Sequence, residues 1–272
     1  MDDRTIAFIG GGNMARALIG GLVGRGHAAG RLQVAEPVPE LRQALAADFG
    51  VGIHETATAA AGLADIWVLA VKPQVMRAVC ESLAPLAQER HPLVLSIAAG
   101  ITTAQLDRWL GGGQAVVRAM PNTPALLGVG ATGLYANERV DDAGRAAAEA
   151  LMQACGLACW IPGEDLMDAV TAVSGSGPAY VFLLAEAMQE AARAQGLAAD
   201  TARLLVLQTL LGAARMLTET GEEAATLRQR VTSPGGTTQA ALETFEAGGF
   251  RQLVDAAIAA ATRRGRELSA GG

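Results

Sequence analysis

IAFIGGGNMARALIGGL, residues Ile6 to Leu22, begins as a short apolar segment, passes through three consecutive glycines and continues with helical periodicity. Glycine costs about 0.5–1 kcal/mol in a regular element, but it adopts backbone geometries closed to other residues and lets a ligand approach the main chain. Gly10, Gly12 and Ala15 fit the pattern G-x-G-x-x-G/A. In that pattern the first glycine makes the turn, the second admits a pyrophosphate, and the helix N-terminus attracts the anion. The stretch therefore predicts a dinucleotide-binding strand–turn–helix unit.

Short β-branched apolar segments alternate with helical periodicity from the start of the chain to about Gly163. Strands are predicted at Ile6–Gly10, Leu32–Glu36, Ile66–Val71, Leu93–Ala98 and Val116–Met120. Helices are predicted between them, as at Pro39–Phe49 and Gln74–Leu86. This alternation is typical of a parallel sheet with helices on both faces. It favours nucleotide binding over the alternative that the glycines form an ordinary strand-to-helix connection.

The strand pattern ends after Gly163. Helices are then predicted over Pro178–Gln195, over Thr201–Thr220 with Asp200 as its N-cap, and over Phe250–Leu268. We therefore predict two domains, an α/β dinucleotide-binding domain over residues 1–163 and an all-helical domain over residues 164–272. The many leucines of the second domain give its helices more than one apolar face, which indicates a subunit interface.

Composition and charge narrow the range of partners. The 272-residue chain is 51% hydrophobic and carries a net charge of −6 from 21 basic and 27 acidic side chains. No run of basic residues predicts binding to nucleic acid or to an anionic membrane. The acidic start MDDRTIAFIG is unlike a signal peptide, and the uncharged segments contain Pro and Gly where a membrane-spanning helix has Leu and Val. We expect a cytoplasmic protein whose three cysteines are reduced core thiols, without a metal site.

Further motifs fall where ligands bind in such folds. LAVKP places Lys72, the only lysine of the chain, at the carboxyl edge of the predicted sheet. SIAAG (Ser96–Gly100) and RAMPNTPAL (Arg118–Leu126) either line a nicotinamide pocket or only shape turns. In the helical half, AVSGSGPAY (Ala172–Tyr180) and VTSPGGTTQAAL (Val231–Leu242) each set small residues before a helix, which exposes backbone N–H groups to an anion. Together they favour a carboxylate pocket, although ordinary helix capping explains either one alone.

The distribution of lysine and histidine constrains the reaction. Ketone reduction needs a proton donor, commonly His, Lys or Tyr, whereas a protonated C=N group already carries the charge that accepts a hydride. No lysine follows Lys72 and no histidine follows His91. Imine reduction therefore fits better than hydroxy-acid oxidation, with Tyr135 and Tyr180 leaving the second reaction open.

Six motifs occur in the order and with the spacing of the pyrroline-5-carboxylate reductase family, which this chain resembles over nearly its whole length. They are FIGGGNMARALIGGL, AVKPQ, SIAAGI, RAMPNTPAL, DAVTAVSGSGPAYVF and VTSPGGTTQAALETF. The resemblance implies NAD(P)H-dependent reduction of 1-pyrroline-5-carboxylate to L-proline, the last step of proline synthesis. It also implies a Rossmann-like domain followed by a helical dimerisation domain, in homodimers that commonly assemble into decamers.

The resemblance assigns roles to individual residues. The cofactor-binding set is Ile9, Gly10, Gly11, Gly12, Asn13, Met14, Glu36, Val71, Lys72, Pro73, Ala98 and Asn122. The substrate-binding set is Glu164, Gln229, Ser233, Gly235, Gly236, Thr237 and Thr238. In this family pattern the amides of Gly236 and Thr237 receive the substrate carboxylate, while the Thr238 hydroxyl, the catalytic group, approaches the ring nitrogen.

Two positions depart from the family pattern. Glu36 ends the second predicted strand, where many relatives carry a small polar residue suited to a 2′-phosphate. An acidic side chain about 20 residues beyond the glycines accepts hydrogen bonds from the adenine ribose, which favours NADH. The alternative is that Glu36 turns to solvent or caps the next helix, with Arg42 offsetting its charge. Gln229 stands where some relatives have an acidic residue.

Two other kinds of function stay open on the sequence. One is a β-hydroxyacid dehydrogenase, or another imine reductase, on the same architecture. The other is a nicotinamide-sensing regulatory protein without turnover. The absence of lysine from the helical half weighs against the dehydrogenase. A sensor leaves the SPGGTT segment (Ser233–Thr238) without a function.

Overall fold

The computed structural model describes residues 4–270. Contacts divide the chain into two compact units, residues 4–176 with residues 261–270, and residues 177–260. The sequence predicts a boundary between residues 163 and 164. By their contacts, residues 164–176 and the end of the C-terminal helix group with the first unit. The predicted domain boundary stays a prediction.

The first unit is built on a single eight-stranded sheet. Its strands are β1 Ile6–Ile9, β2 Leu32–Ala35, β3 Gly52–His54, β4 Ile66–Leu69, β5 Leu93–Ser96, β6 Ala115–Met120, β7 Gly130–Ala136 and β8 Gly156–Trp160. The order across the sheet is β3-β2-β1-β4-β5-β6-β7-β8. The five predicted strands are confirmed within two residues at each end, whereas β3, β7 and β8 are not predicted. Neighbouring strands among the five predicted ones all pair in parallel, as expected, and the unpredicted strand β7 pairs antiparallel with β6.

Helices cover both faces of the sheet, as predicted. In this unit they are α1 Asn13–Gly24, α2 Pro39–Phe49, α3 Ala57–Ala61, α4 Pro73–Arg90, α5 Thr103–Trp109, α6 Asp142–Gln153 and α7 Met167–Val170. Successive side chains of a strand point to opposite faces. Accordingly Phe8 packs in one core cluster with Leu18 of α1, and Ile9 in another with Met76 of α4.

The order of the strands reverses between β1 and β4. β1 pairs in parallel with β2 on one side and with β4 on the other. The order 3-2-1-4-5-6 is that of doubly wound sheets, which bind dinucleotides at the carboxyl ends of the strands beside this switch point. The glycine loop follows β1 and Lys72 follows β4, so both lie at the expected edge.

In its described residues the second unit is helical. It contains α8 Gly177–Ala194, α9 Ala199–Glu219, α10 Ala224–Arg230, α11 Thr237–Ala247 and the first part of α12 Phe250–Ala270. The prediction of Asp200 as N-cap is wrong: Ala198 is the N-cap of α9, and Asp200 lies in the first turn, where a carboxylate favours the helix dipole. Large apolar side chains such as Phe182, Leu204 and Leu253 are exposed. Apolar surface of this kind is typical of an interaction site.

The cysteines only partly match the expectation of core thiols. Cys80 and Cys155 are buried free thiols. Burial raises the pKa of Cys80 to about 12 and also raises the pKa of Cys155 above its ordinary value. Cys159 is exposed, which corrects the prediction there, because it lies on the outer face of the edge strand β8. Among residues 4–270, no helix has both the length and the apolar character needed to cross a bilayer.

Candidate functional site

The three glycines form the loop that joins β1 to α1. Gly10 has a φ of +105°, and a Cβ at this position would lie 2.7 Å from the backbone oxygen of Ala70, so the turn requires glycine. Gly12 is the N-cap of α1, and beyond its chain neighbours no atom lies within 4 Å of its Cβ position. The loop therefore leaves open space at a helix N-terminus, which is an arrangement that attracts anions.

A cleft of about 650 Å³ opens beside this loop. The predicted cofactor residues that line it are Ile9, Gly10, Gly11, Gly12, Glu36, Val71 and Lys72. Lys72 is exposed and is the N-cap of α4. Val38, Leu41 and Val75 also line the cleft and are not predicted. These three residues share one feature that points to the cleft: each is an exposed apolar side chain in the first turn of a helix, or just before it, next to the carboxyl edge of the sheet.

Other predicted cofactor residues lie around the cleft in different roles. Asn13 is exposed in the first turn of α1, whereas Met14 packs against the core. Pro73 is the first residue of α4, where its fixed φ suits a helix start. Ala98 is buried just after β5. A contact of these residues with a cofactor stays a prediction.

The side-chain amide of Asn122 is engaged within the fold. Its Nδ2 donates to the backbone oxygen of Ser174 at 2.9 Å, and its Oδ1 accepts from the Ala131 N–H at 2.9 Å. Ser174 lies in a π-helical turn, Thr171–Gly175. The segment before α8, which the sequence predicts to expose backbone N–H groups to an anion, is therefore itself helical, and the Ser176 N–H already donates to the Thr171 oxygen.

Glu36 is buried beside the glycine loop and is only 7% exposed. Its Oε2 accepts from the Gly11 N–H at 2.9 Å, and its Oε1 accepts from the Val38 N–H at 3.0 Å. Arg42 donates to the backbone oxygens of Glu36 and Pro37, at 2.5 and 3.3 Å. The alternative that Glu36 turns to solvent is wrong. Its carboxylate contacts both the glycine loop and Val38, the N-cap of α2.

Glu164 begins a 3₁₀ turn, Glu164–Leu166, in the first unit. Its carboxylate accepts two hydrogen bonds of 2.8 Å from Thr103, from the N–H to Oε1 and from the hydroxyl to Oε2. Arg118 and Asp168 lie in the same cluster. Their pairing with each other and with Glu164 is not predicted. An arginine inside the apolar strand AVVRAM is a signal for it, because a buried guanidinium needs carboxylate partners.

The SPGGTT segment of the second unit precedes a helix, as predicted. Gly236 is the N-cap of α11, and Thr237 and Thr238 are its first two residues. The Gly236 N–H donates to the backbone oxygen of Ser233 at 3.0 Å, so this amide is engaged in a turn. A carboxylate at Gly236 has to share or replace that hydrogen bond.

A second cleft of about 500 Å³ lies between α10 and α11. Gln229, from the predicted substrate set, lines it together with Thr232 and Gln239. Gln239 is not predicted: its Oε1 accepts from the Gly235 N–H at 2.7 Å, and its Nε2 donates to Glu243 at 2.7 Å. The side chain thereby fixes the turn in front of α11.

Two protein-family models match the chain. Residues 164–268 match the model described as pyrroline-5-carboxylate reductase dimerisation. Residues 5–100 match the model described as NADP oxidoreductase, coenzyme F420-dependent. The first match includes the SPGGTT segment, and the second includes the glycine loop, Glu36 and Lys72.

Similarity to characterised proteins extends over the whole chain. The pyrroline-5-carboxylate reductase of Pseudomonas aeruginosa is 51% identical over 269 residues, which cover 99% of this chain and 98% of that protein. This chain belongs to the pyrroline-5-carboxylate reductase family. The solved Coxiella burnetii pyrroline-5-carboxylate reductase has 46% identity and a TM-score of 0.95, and the comparison covers 98% of this chain and 99% of the other. The Plasmodium falciparum pyrroline carboxylate reductase, solved with NADP bound, has 28% identity, a TM-score of 0.87 and 99% coverage of both chains.

Membership in the pyrroline-5-carboxylate reductase family agrees with the predicted fold class. The α/β part is Rossmann-like, and the matched dimerisation region is mostly helical.

Proposed function

We propose that this protein reduces the C=N bond of 1-pyrroline-5-carboxylate to give L-proline, with hydride from NADH or NADPH. The observation that carries the proposal is the 51% identity to a pyrroline-5-carboxylate reductase over 99% of the chain. That similarity includes both the glycine loop and the SPGGTT segment, which a dehydrogenase of hydroxy acids or a sensor without turnover leaves unexplained together.

The first unit fits a nicotinamide dinucleotide. The space beside Gly12 lies at the N-terminus of α1, where the helix dipole favours a pyrophosphate. A Cβ at Gly12 would occupy this space. Lys72 adds a positive charge at the same cleft. When bound, the reduced nicotinamide supplies the hydride.

The second unit is proposed to bind and orient the imine. We place the substrate carboxylate at the N-terminus of α11, near Gly236 and Thr237, because helix N-termini attract anions. We place the Thr238 hydroxyl at the ring nitrogen. A protonated C=N group accepts a hydride without a separate acid, which agrees with the absence of lysine after Lys72 and of histidine after His91.

We propose that NADH is used well, with Glu36 as the residue that sets the preference. The carboxylate is buried at the end of β2 and is held at the loop by the Gly11 N–H. Arg42 bonds to the backbone oxygens of Glu36 and Pro37, and its guanidinium therefore anchors the loop. A 2′-phosphate at this position meets a like charge, which is unfavourable.

We also propose that the functional form is a homodimer that commonly assembles further, up to a decamer. The support is the match of residues 164–268 to a dimerisation model and the exposed apolar side chains of α8, α9 and α12. A cytoplasmic location and the absence of a nucleic-acid partner stay predictions from composition.

The test is a spectrophotometric assay with purified protein, 1-pyrroline-5-carboxylate and either NADH or NADPH, combined with identification of L-proline as the product. Oxidation of a β-hydroxy acid with the oxidised cofactor, in place of imine reduction, would favour the dehydrogenase. Cofactor binding without turnover would favour the sensor.

A further inference from the structure

A buried charge cluster joins distant parts of the first unit. Arg118 of β6 has a side chain that is only 3% exposed. Its Nη1 lies 3.3 Å from Glu164 Oε1, and its Nη2 lies 3.9 Å from Asp168 Oδ1. Ser269, near the end of α12, donates from its hydroxyl to Asp168 Oδ1 at 3.2 Å. Removing Arg118 would leave the carboxylates of Glu164 and Asp168 without their shared cation, whereas removing the Glu164 charge leaves Arg118 beside Asp168.

Glu164, one member of this cluster, binds the first residue of α5. Both oxygens of Glu164 accept hydrogen bonds from the same residue, Thr103, at 2.8 Å each. Thr103 is the first residue of α5 and is 5% exposed. A carboxylate at this position satisfies an N–H group that the helix itself leaves unpaired and also favours the helix dipole. Arg118 also holds this carboxylate, since its Nη1 donates to Glu164 Oε1.

Thr103 directly follows the loop that connects β5 to α5, residues 97–102, and this loop carries Ala98. The beginning of the loop is fixed by the Ala98 N–H, which donates to Ser96 Oγ at 3.3 Å. Its middle packs on α12, where a Cβ on Gly100 would lie 3.3 Å from Leu268 Cβ. Its end is Thr103. Of these three attachments, the one at Thr103 depends on a half-buried carboxylate that is ion-paired with the buried Arg118.

We propose that Glu164 is a positioning residue: together with Arg118 it holds Thr103, and so sets the β5–α5 loop against the nicotinamide, instead of contacting the imine. The proposal rests on the proposed function for what the loop faces. Glu164 is a poor partner for a cationic ring nitrogen because both of its oxygens accept from Thr103, and Oε1 also accepts from Arg118 Nη1 at 3.3 Å.

The two roles of Glu164 predict opposite patterns in a set of matched variants. Glu164→Gln keeps an oxygen for the Thr103 N–H and offers an amide N–H to the Thr103 hydroxyl, but it loses the charge. Glu164→Ala loses both contacts. Thr103→Val removes one hydrogen bond without touching any charge, and Thr103→Ser retains it.

Two quantities are measured for each variant. The first is the Kd of NADH in the absence of substrate, from the change in NADH fluorescence, and the second is the KM of the imine substrate at saturating cofactor. The proposal predicts that Thr103→Val and Glu164→Ala raise the Kd of NADH by about threefold to tenfold, the size expected for one lost hydrogen bond or two. The Kd of NADH in Thr103→Ser and Glu164→Gln is expected to stay near the parent value. The KM of the imine is expected to change less than about twofold in all variants that fold.

An increase in the KM of the imine in Glu164→Gln, with Thr103→Val unchanged in both readouts, would overturn the proposal, because that pattern belongs to a charge that contacts substrate. The proposal would also be overturned if Thr103→Val and Glu164→Ala both bind NADH with the Kd of the parent protein. The comparison of Thr103→Val with Thr103→Ser keeps the test decisive even if Glu164→Ala fails to fold. Because the Kd of NADH is measured without substrate, the result does not depend on which imine the protein reduces.

Discussion

The Glu36 carboxylate accepts a 2.9 Å hydrogen bond from the Gly11 N–H, which ties the end of β2 to the loop after β1. Two sequence features that are 25 residues apart therefore form one structural element. Since the carboxylate is buried, its charge is weakly screened by solvent and stays at the edge of the cleft. The same contact brings the proposed pyrophosphate loop and the proposed ribose-reading residue within one hydrogen bond of each other.

Replacing Glu36 with Ser is expected to shift cofactor selectivity toward NADPH. Two like charges ~4 Å apart repel by about 1 kcal/mol in water and by up to ~4 kcal/mol at the effective dielectric of a protein surface, so the ratio of kcat/KM for NADH over NADPH falls by about tenfold or more. A general loosening of the loop would lower kcat/KM for both cofactors alike, so it does not change this ratio. Glu40→Gln, which removes an exposed charge from the first turn of α2, is the matched control and leaves the ratio unchanged. An NADPH preference in the parent that Glu36→Ser does not alter would remove Glu36 from the ribose site.

Gly12→Ala is expected to weaken cofactor binding, whereas Gly10→Ala is expected to lower the stability of the fold. Gly12→Ala places its methyl group in open space, so the free energy of unfolding changes by about 1 kcal/mol or less while the Kd of the cofactor rises by about tenfold or more. Gly10→Ala combines a φ of +105° with a 2.7 Å approach to the Ala70 oxygen, and is expected to lose about 1–3 kcal/mol of stability or more. Denaturant unfolding and cofactor titration measure the two quantities. Unchanged cofactor affinity in Gly12→Ala would place the pyrophosphate elsewhere.

Thr238→Ala is expected to lower kcat/KM for the imine by an amount equal to about 1–3 kcal/mol, because the hydroxyl is proposed to contact the ring nitrogen as the hydride arrives. The Kd of the cofactor should stay within about twofold of the parent value. Thr244→Ala is the control, since the Thr244 hydroxyl donates to the Ala240 oxygen within the same helix. Equal turnover in Thr238→Ala and the parent contradicts a role for this hydroxyl.

The exposed leucines of the second unit should be buried in a dimer. Light scattering at micromolar concentration is expected to give at least twice the single-chain mass of 27.8 kDa. Leu204 is 65% exposed in the single chain, so Leu204→Glu costs a monomer little, within about 0.5 kcal/mol, but weakens an apolar interface. A mass of one chain for the parent protein would contradict the dimer.

Much of the fold can be predicted because the central strands are short apolar segments that are buried on both faces. β4 (IWVL) and β5 (LVLS) are examples in which every residue is buried. The strands that are not predicted lack this signal. β3 has three residues at the sheet edge, and β7 (GATGLYA) contains two glycines and few β-branched residues. Their extended conformation depends on pairing with neighbouring strands, which local sequence does not contain.

The residues that line the cleft after β1 and β4 can be predicted because they belong to continuous motifs at strand ends. The partners of Arg118 cannot be predicted in the same way. Glu164 lies 46 residues further along the chain, and only the packing of the 3₁₀ turn against β6 brings the two charges together. The inward turn of Glu36 likewise depends on a tertiary contact with Gly11.

The most direct test of the proposed function is the initial rate of NADH and NADPH oxidation by the purified protein with 1-pyrroline-5-carboxylate, with L-proline measured in the same samples. Cofactor consumption is expected to require the imine and to match the L-proline formed one to one. Saturable cofactor binding with no L-proline formed, under conditions where a characterised family member is active, would contradict it.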